Sequence, residues 1–138
     1  LGFREDPVNG VYRLYIPEGS AVQPLDGFQA KHLRGLAHGL KPLVFVGHRG
    51  ITPPVIAAVR EALDAHELIK VRFLDEKDRE VKAQLAAQIA RETESALAGM
   101  IGHTAIFYRR HPEPDRRRIQ LPGRAPGATA RTPGRTKS

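Results

Sequence analysis

The chain contains no cysteine and no tryptophan in its 138 residues. Without cysteine it has no disulfides, no thiolate zinc site and no cysteine nucleophile. Aromatic side chains make up only 6% of it, a poor supply of platforms for stacking the bases of single-stranded RNA. No apolar run approaches the ~18 residues of a membrane span, and Leu1 to Asp6 lack the charged-then-apolar pattern of a signal peptide. A soluble cytoplasmic protein without membrane contact is expected; because the first residue is leucine, the sequence leaves its native start open. The phosphate-loop, dinucleotide, nucleophile-elbow and HExxH patterns are all missing. The six histidines (His32, His38, His48, His66, His103, His111) lie on different elements and no two stand four apart, so neither a metal site nor a cofactor is expected. The acids Glu61, Asp64 and Glu67, and Asp75, Glu76, Asp78 and Glu80, read as solvated helix flanks and caps. No enzyme is expected.

What is present is an ordinary globular composition, 41% hydrophobic and 27% charged, with room for one modest core. The net charge of +7 is unevenly spread. Arg109 to Ser138 carry nine basic and two acidic residues, the whole excess, and residues 1–108 are neutral. Inside that neutral part, residues 27–50 hold Lys31, Arg34, Lys41 and Arg49 and no acid. Two basic features therefore need an explanation, one internal and one terminal.

The periodicities predict the order α-β-α-β-α-β-β. Leu33, Leu36, Ala37 and Leu40 give a helix over about Asp26–Leu40 with one buried side, and Lys31, Arg34, His38 and Lys41 fall together on the other. Leu43–Val46, bounded by Pro42 and Gly47, reads as a buried strand. Thr52 and Pro53 open a second helix with Val55, Ile56, Val59, Ala62 and Leu63 on one face. Leu68–Leu74 alternates, Ile69, Val71 and Phe73 against Lys70 and Arg72, as a half-buried strand does. A third helix over about Lys77–Thr93 places Val81, Leu85 and Ile89 on one side. Gly102-His103 joins two last strands, Ala96–Ile101 and Thr104–Tyr108, as a type II′ hairpin. Helices between strands imply crossovers, hence an α/β fold with a four-stranded mixed sheet and three helices. Residues 1–22 read as an N-terminal extension, either a short strand at Val11–Ile16 or no order, 23–110 as the folded domain, and 111–138 as a flexible Pro/Gly/Arg-rich arm unable to bury enough surface.

Gly47-His48-Arg49-Gly50 joins a strand to a helix N-terminus, where backbone amides favour an anion and two glycines permit close approach. Pro53 and Pro54 lack N–H groups, which leaves the loop amides and Arg49 to hold such an anion. A plain tight turn is the alternative. The neighbouring stripe of Lys31, Arg34, His38 and Lys41 carries one sign only, the footprint expected for phosphate backbones. Arg109, Arg110 and Arg116-Arg117-Arg118 supply a second footprint that indicates a polyanion.

The stretches Leu33-Arg-Gly-Leu-Ala-His-Gly-Leu-Lys-Pro-Leu-Val-Phe-Val-Gly-His-Arg-Gly-Ile-Thr52, Ala62-Leu-Asp-Ala-His-Glu-Leu-Ile-Lys-Val-Arg72 and Ile101-Gly-His-Thr-Ala-Ile-Phe-Tyr-Arg109 together resemble the CRM domain, named for chloroplast RNA splicing and ribosome maturation. The bacterial single-domain YhbY-like members are the nearer likeness, from about Asp26 to Arg109 and weakly on to Arg118–Pro122. The resemblance implies a compact αβαβαββ fold similar to the C-terminal domain of a bacterial translation initiation factor. It also implies RNA binding through the loop and adjacent basic surface, and association with precursors of the large ribosomal subunit. Gly47 and Gly50 match the family's loop glycines, and His48 and Arg49 its variable middle. Members often carry Lys or Arg where this chain has His48, so charge there depends on pH.

The expected function is thus a monomeric RNA-binding assembly factor that recognises folded RNA by shape and backbone, Tyr108 being the ring expected to be exposed. A phosphate-ester enzyme would need a nucleophile, acid pair or metal cluster that the sequence does not offer. A protein-interaction module on the ribosome, with a nonspecific polyanion-binding tail, is the alternative.

Overall fold

In the computed structural model, which describes residues 4–5, 13–18, 22 and 25–122, each of three α-helices begins where a short polar side chain caps it. Asp26 Oδ1 accepts from the Gln29 N–H at 2.8 Å and Gln29 Oε1 accepts from the Asp26 N–H at 3.1 Å, a reciprocal box that opens α1 (Gly27–Ala37). Thr52 Oγ1 accepts from Val55 N–H at 3.4 Å, and Pro53 takes the first position of α2 (Pro53–His66). Asp78 accepts from the N–H groups of Glu80 and Val81 and starts α3 (Arg79–Thr93) slightly later than the sequence suggests. α1 stops at Ala37, short of Leu40; His38 and Leu40 donate to Gly35 and Ala37 in three-residue closures that end the helix before Pro42.

The strands are β1 (Arg4–Glu5), β2 (Arg13–Leu14), β3 (Val44–Val46), β4 (Leu68–Phe73), β5 (Ala96–Ile101) and β6 (Thr104–Tyr108). The last four form one sheet in the order β3-β4-β6-β5, with β3 parallel to β4 and the other pairs antiparallel. Gly102 takes φ 60°, as the first position of a type II′ turn requires. This is the expected α/β fold, three helices on a four-stranded mixed sheet. α2 and α3 cover one face over Val46, Ile69, Val71, Phe73, Leu97, Ala105 and Phe107. α1 covers the other over Leu68, Ala96, Ala98, Ile106 and Tyr108.

Which side chains are buried departs from the sequence pattern. α1 buries Gln29, Ala30, Leu33, Arg34 and Ala37 and leaves Leu36 and Leu40 exposed. α3 packs through Ala83, Ala86, Ala87, Ile89 and Ala90, with Val81 exposed, because small residues allow the helix to lie close to β5 and α2. Lys82, buried on that helix, donates to Gly102 O at 3.0 Å and meets His103 Nδ1 at 2.9 Å, tying α3 to the hairpin turn. β3 is an edge strand and only half buried: Val44 and Val46 face α2, whereas Phe45 is 51% exposed.

Both ends of the domain extend past the expected boundaries. Tyr15 and Leu97 exchange two backbone hydrogen bonds of 2.9 Å, and Leu14 and Tyr15 are buried, so this stretch protects the outer edge of β5. At the other end the expected flexible arm is docked as far as Pro122. Ile119 and Leu121 pack beneath α1, and Gln29 Nε2 donates to Pro122 O at 3.0 Å. The anchor is Glu67, read from sequence as a solvated acid but 1% exposed. Its carboxylate accepts from the backbone N–H groups of His111, Arg118 and Ile119. The remainder of the arm, from residue 123 on, lies outside the described residues.

Candidate nucleic-acid interface

The Gly47–Gly50 loop leaves the sheet at the end of β3 and is closed by Gly50 N–H donating to Gly47 O at 3.0 Å. Gly50 sits at φ 73°, in the region that favours glycine, whereas a Cβ at Gly47 would meet no atom within 4 Å. Gly47, His48 and Arg49 are exposed. His48 Nδ1 lies 3.8 Å from Asp75 Oδ2, both solvated. Arg49 has no ion-pair partner among the described residues. The start of α2 offers an anion little: Pro53 and Pro54 have no N–H, Val55 donates to Thr52 Oγ1 and Ile56 to Thr52 O. An anion here would rest on the loop amides, His48 and Arg49, as the two prolines lead one to expect.

Of the expected helical stripe, Lys31, His38 and Lys41 are exposed, and Arg34 is not. Its side chain is 9% exposed and donates through Nη1 to Ala98 O at 2.9 Å. The cause lies on β5. Gly99 has no side chain, and the Arg34 stem fills that gap; a Cβ there would stand 2.5 Å from Arg34 Cδ. Arg34 is therefore a packing residue. We expect Arg34→Ala to lower stability by about 2 kcal/mol, since it unpairs a buried carbonyl and opens a void over Gly99. Lys31→Ala should leave the urea midpoint unchanged; equal midpoints for the two variants would return Arg34 to the surface stripe.

The terminal arginines divide in the same way. Arg109 donates to Thr93 O at 2.8 Å and Arg60 O at 3.3 Å and pairs with Asp64, so it fastens β6 to α2 and α3 rather than facing a ligand. Arg117 folds back on its own segment, onto His111 O at 2.8 Å and Pro112 O at 3.3 Å. Arg116 lies 3.4 Å from Glu113 in solvent, and exposed Arg110 borders, with Arg117, two adjoining clefts under the docked segment. Arg118 is exposed, and its backbone N–H is bound by Glu67. Tyr108, the ring expected at the surface, is 3% exposed, because β6 is an inner strand and α1 lies over it. Burial pushes its hydroxyl up to about 12, and the Glu67 carboxylate adds to the shift while Arg110 and Arg117 oppose it.

The two faces differ in charge. α1, β3, β4, β5 and β6 contain no acid, whereas Glu61, Asp64, Glu80 and Glu92 all lie on α2 and α3. The α1 side thus brings together Lys31, His38 and Lys41, and β4 adds Arg72, exposed, and Lys70, held by Leu40 O at 3.0 Å. Neither β4 cation is among the expected site residues. Their alternation with Ile69, Val71 and Phe73 is nevertheless the signal that places them on this face. No group of three or more metal-ligating side chains occurs among the described residues.

The CRS1 / YhbY (CRM) domain family matches residues 25–109. An RNA-binding protein of Haemophilus influenzae is 44% identical over 94 residues, 68% of this chain and 91% of that protein. YqeI of Bacillus subtilis, provisionally named for RNA binding, is 36% identical over 98 residues, 71% of this chain and 99% of its own length. The solution structure of a hypothetical Staphylococcus aureus protein, described as a candidate RNA binder, has a TM-score of 0.64 at 34% identity and covers 72% of this chain and 100% of that one.

Proposed function

This chain belongs to the CRS1 / YhbY (CRM) domain family, and from that premise we propose that it is an RNA-binding protein without catalytic activity. It holds RNA phosphates through the Gly47–Gly50 loop and the acid-free α1 side, and it acts in the cytoplasm on precursors of the large ribosomal subunit. The observation that carries the reading is the pairing of an exposed glycine loop with helix α1 and sheet strands that hold basic residues and no acid, whereas α2 and α3 on the opposite face mix both signs. The relatives named for RNA binding support the partner class. The ribosomal target rests on the family resemblance.

Binding of a fluorescein-labelled large-subunit ribosomal RNA fragment to the full chain tests it. The anisotropy titration is best done at about 150 mM salt, where charges beyond roughly 8 Å are screened. Arg49→Glu should weaken binding about tenfold and flatten the dependence on salt. Wild-type affinity in Arg49→Glu and Lys41→Glu, with loss only on removal of the residues after Pro122, would leave the chain with a nonspecific tail and no loop site.

A further inference from the structure

α1 packs on β4, β5 and β6, yet several side chains on the same side of the sheet stay exposed. The register places Phe45, Arg72, Thr104 and Ile101 in one row across β3, β4, β6 and β5, all on this face. Phe45 is 51% and Ile101 53% exposed, and Arg72 beside Phe45 is exposed as well, while Thr104 between Arg72 and Ile101 is buried. The next row begins with Leu43, whose N–H donates to Lys70 O, and there α1 begins to cover the sheet through Arg34 on Gly99. Leu40, exposed, accepts from Lys70 Nζ at 3.0 Å in that row, and Lys41 after it is exposed too.

A solvated phenylalanine on an edge strand is an association hazard that proteins ordinarily blunt. Here it is left uncovered two residues before Gly47. Its direct cross-strand neighbour is Arg72, about 5 Å away in backbone spacing. No acid lies on any strand of this sheet or on α1. An aromatic face beside a guanidinium, on strands without an acid and with Asp75 beyond the end of β4 near His48, suits a nucleotide: the ring stacks on the base and the cation holds the phosphate. A purely apolar partner would gain nothing from Arg72, Lys70 and Lys41.

We propose that this open sheet surface is a single-strand site, in which an unpaired RNA base stacks on Phe45 and the adjoining phosphate is held by Arg72, continuous with the Gly47–Gly50 loop. The proposal rests on the RNA-binding reading above and adds to it. The loop and α1 contacts recognise backbone, while Phe45 makes the protein prefer RNA with unpaired nucleotides. It also revises the sequence expectation of recognition by shape alone, which followed from the small number of aromatic residues.

The test uses the full chain and two labelled probes, an unstructured oligouridine and a blunt RNA duplex. Phe45→Ala should weaken oligouridine binding about tenfold or more, the scale of losing one base–aromatic stack, and leave duplex binding within about twofold. Phe45→Trp should restore the affinity. As the chain has no tryptophan of its own, that variant also reports directly: its fluorescence should be quenched on titration with oligouridine. Thermal melts of both variants check that the fold is kept, as expected for a half-exposed side chain. If oligouridine binds wild type and Phe45→Ala equally and leaves the fluorescence of Phe45→Trp unchanged, the stacking site is overturned while RNA binding stands. If neither probe binds wild type, the RNA-binding reading itself fails. Unchanged oligouridine affinity combined with lost binding to purified large-subunit proteins would reassign the patch to a protein partner.

Discussion

Glu67→Ala is expected to lower unfolding free energy by at least about 4.5 kcal/mol, because charge-assisted bonds to backbone N–H groups contribute roughly 1.5–3 kcal/mol each and three are lost together. Glu67 Oε2 accepts from His111 N at 2.7 Å, and Oε1 accepts from Ile119 N at 2.9 Å and from Arg118 N. The same residue ends α2 through its N–H to Leu63 O and accepts from Arg109 N, each at 2.9 Å. Its backbone is held at φ 64° and ψ −38°, a strained conformation that persists only where the surroundings fix it. Two controls separate the carboxylate from the backbone. Glu67→Gly relieves the strain yet removes the acceptor, and Glu67→Gln keeps the shape but presents an amide donor to N–H groups. Both should remain well below wild type in urea unfolding, with the His111 and Ile119 amides losing protection from hydrogen exchange. A Glu67→Gly variant as stable as wild type would mean that the backbone, not the carboxylate, makes this position sensitive.

The three α-helices and the four strands of the main sheet were legible, but the pairing of Arg4–Glu5 with Arg13–Leu14 was not. Thr52-Pro53, the alternation of Leu68–Phe73 and the Gly102-His103 link are local signals, and local physics decides them. What the sequence hid depends on contacts distant along the chain. Arg34 lies on the polar arc of its helix by periodicity, yet a glycine on β5 made burial of its stem and pairing of its guanidinium favourable. Leu43–Val46 reads as a buried run, but only the strand order reveals that β3 is an edge with one open face. Tyr15 finds Leu97 across most of the chain, and Glu67 finds Arg118 and Ile119 across fifty residues. A single acid among many carries no mark of that role.

The candidate site shows the same division. The loop, Lys31, His38 and Lys41 could be read directly, because exposure follows there from turn chemistry and helix phase. Arg109 could not be separated from Arg110 by sequence, although one is bound to Asp64, Arg60 and Thr93 and the other is exposed. Phe45 and Tyr108 exchange their expected places for a related reason. Exposure of a strand residue depends on whether a helix happens to lie above it, and α1 covers β6 but leaves the outer part of β3 open.

The two loop glycines are expected to respond to substitution in opposite ways. Gly50, at φ 73°, is required by the turn, so Gly50→Ala should reduce stability by about 1–2 kcal/mol, the usual penalty for an L-residue in the left-handed region. Gly47 is not required by the fold: its φ is not in that region, and an added Cβ meets nothing within 4 Å. Gly47→Ala should therefore melt with wild type. A methyl group at a point of close RNA approach should nevertheless weaken ribosomal RNA binding about tenfold, and Gly47→Glu, which sets a carboxylate against phosphate, about a hundredfold. Melting temperature and anisotropy measured on the same three preparations separate the two roles. Loss of stability at position 47, or unchanged affinity in Gly47→Glu, would reduce the loop to a tight turn between β3 and α2. Loss of affinity without loss of stability is a result that only contact with a ligand produces, since the folded protein itself leaves that space empty.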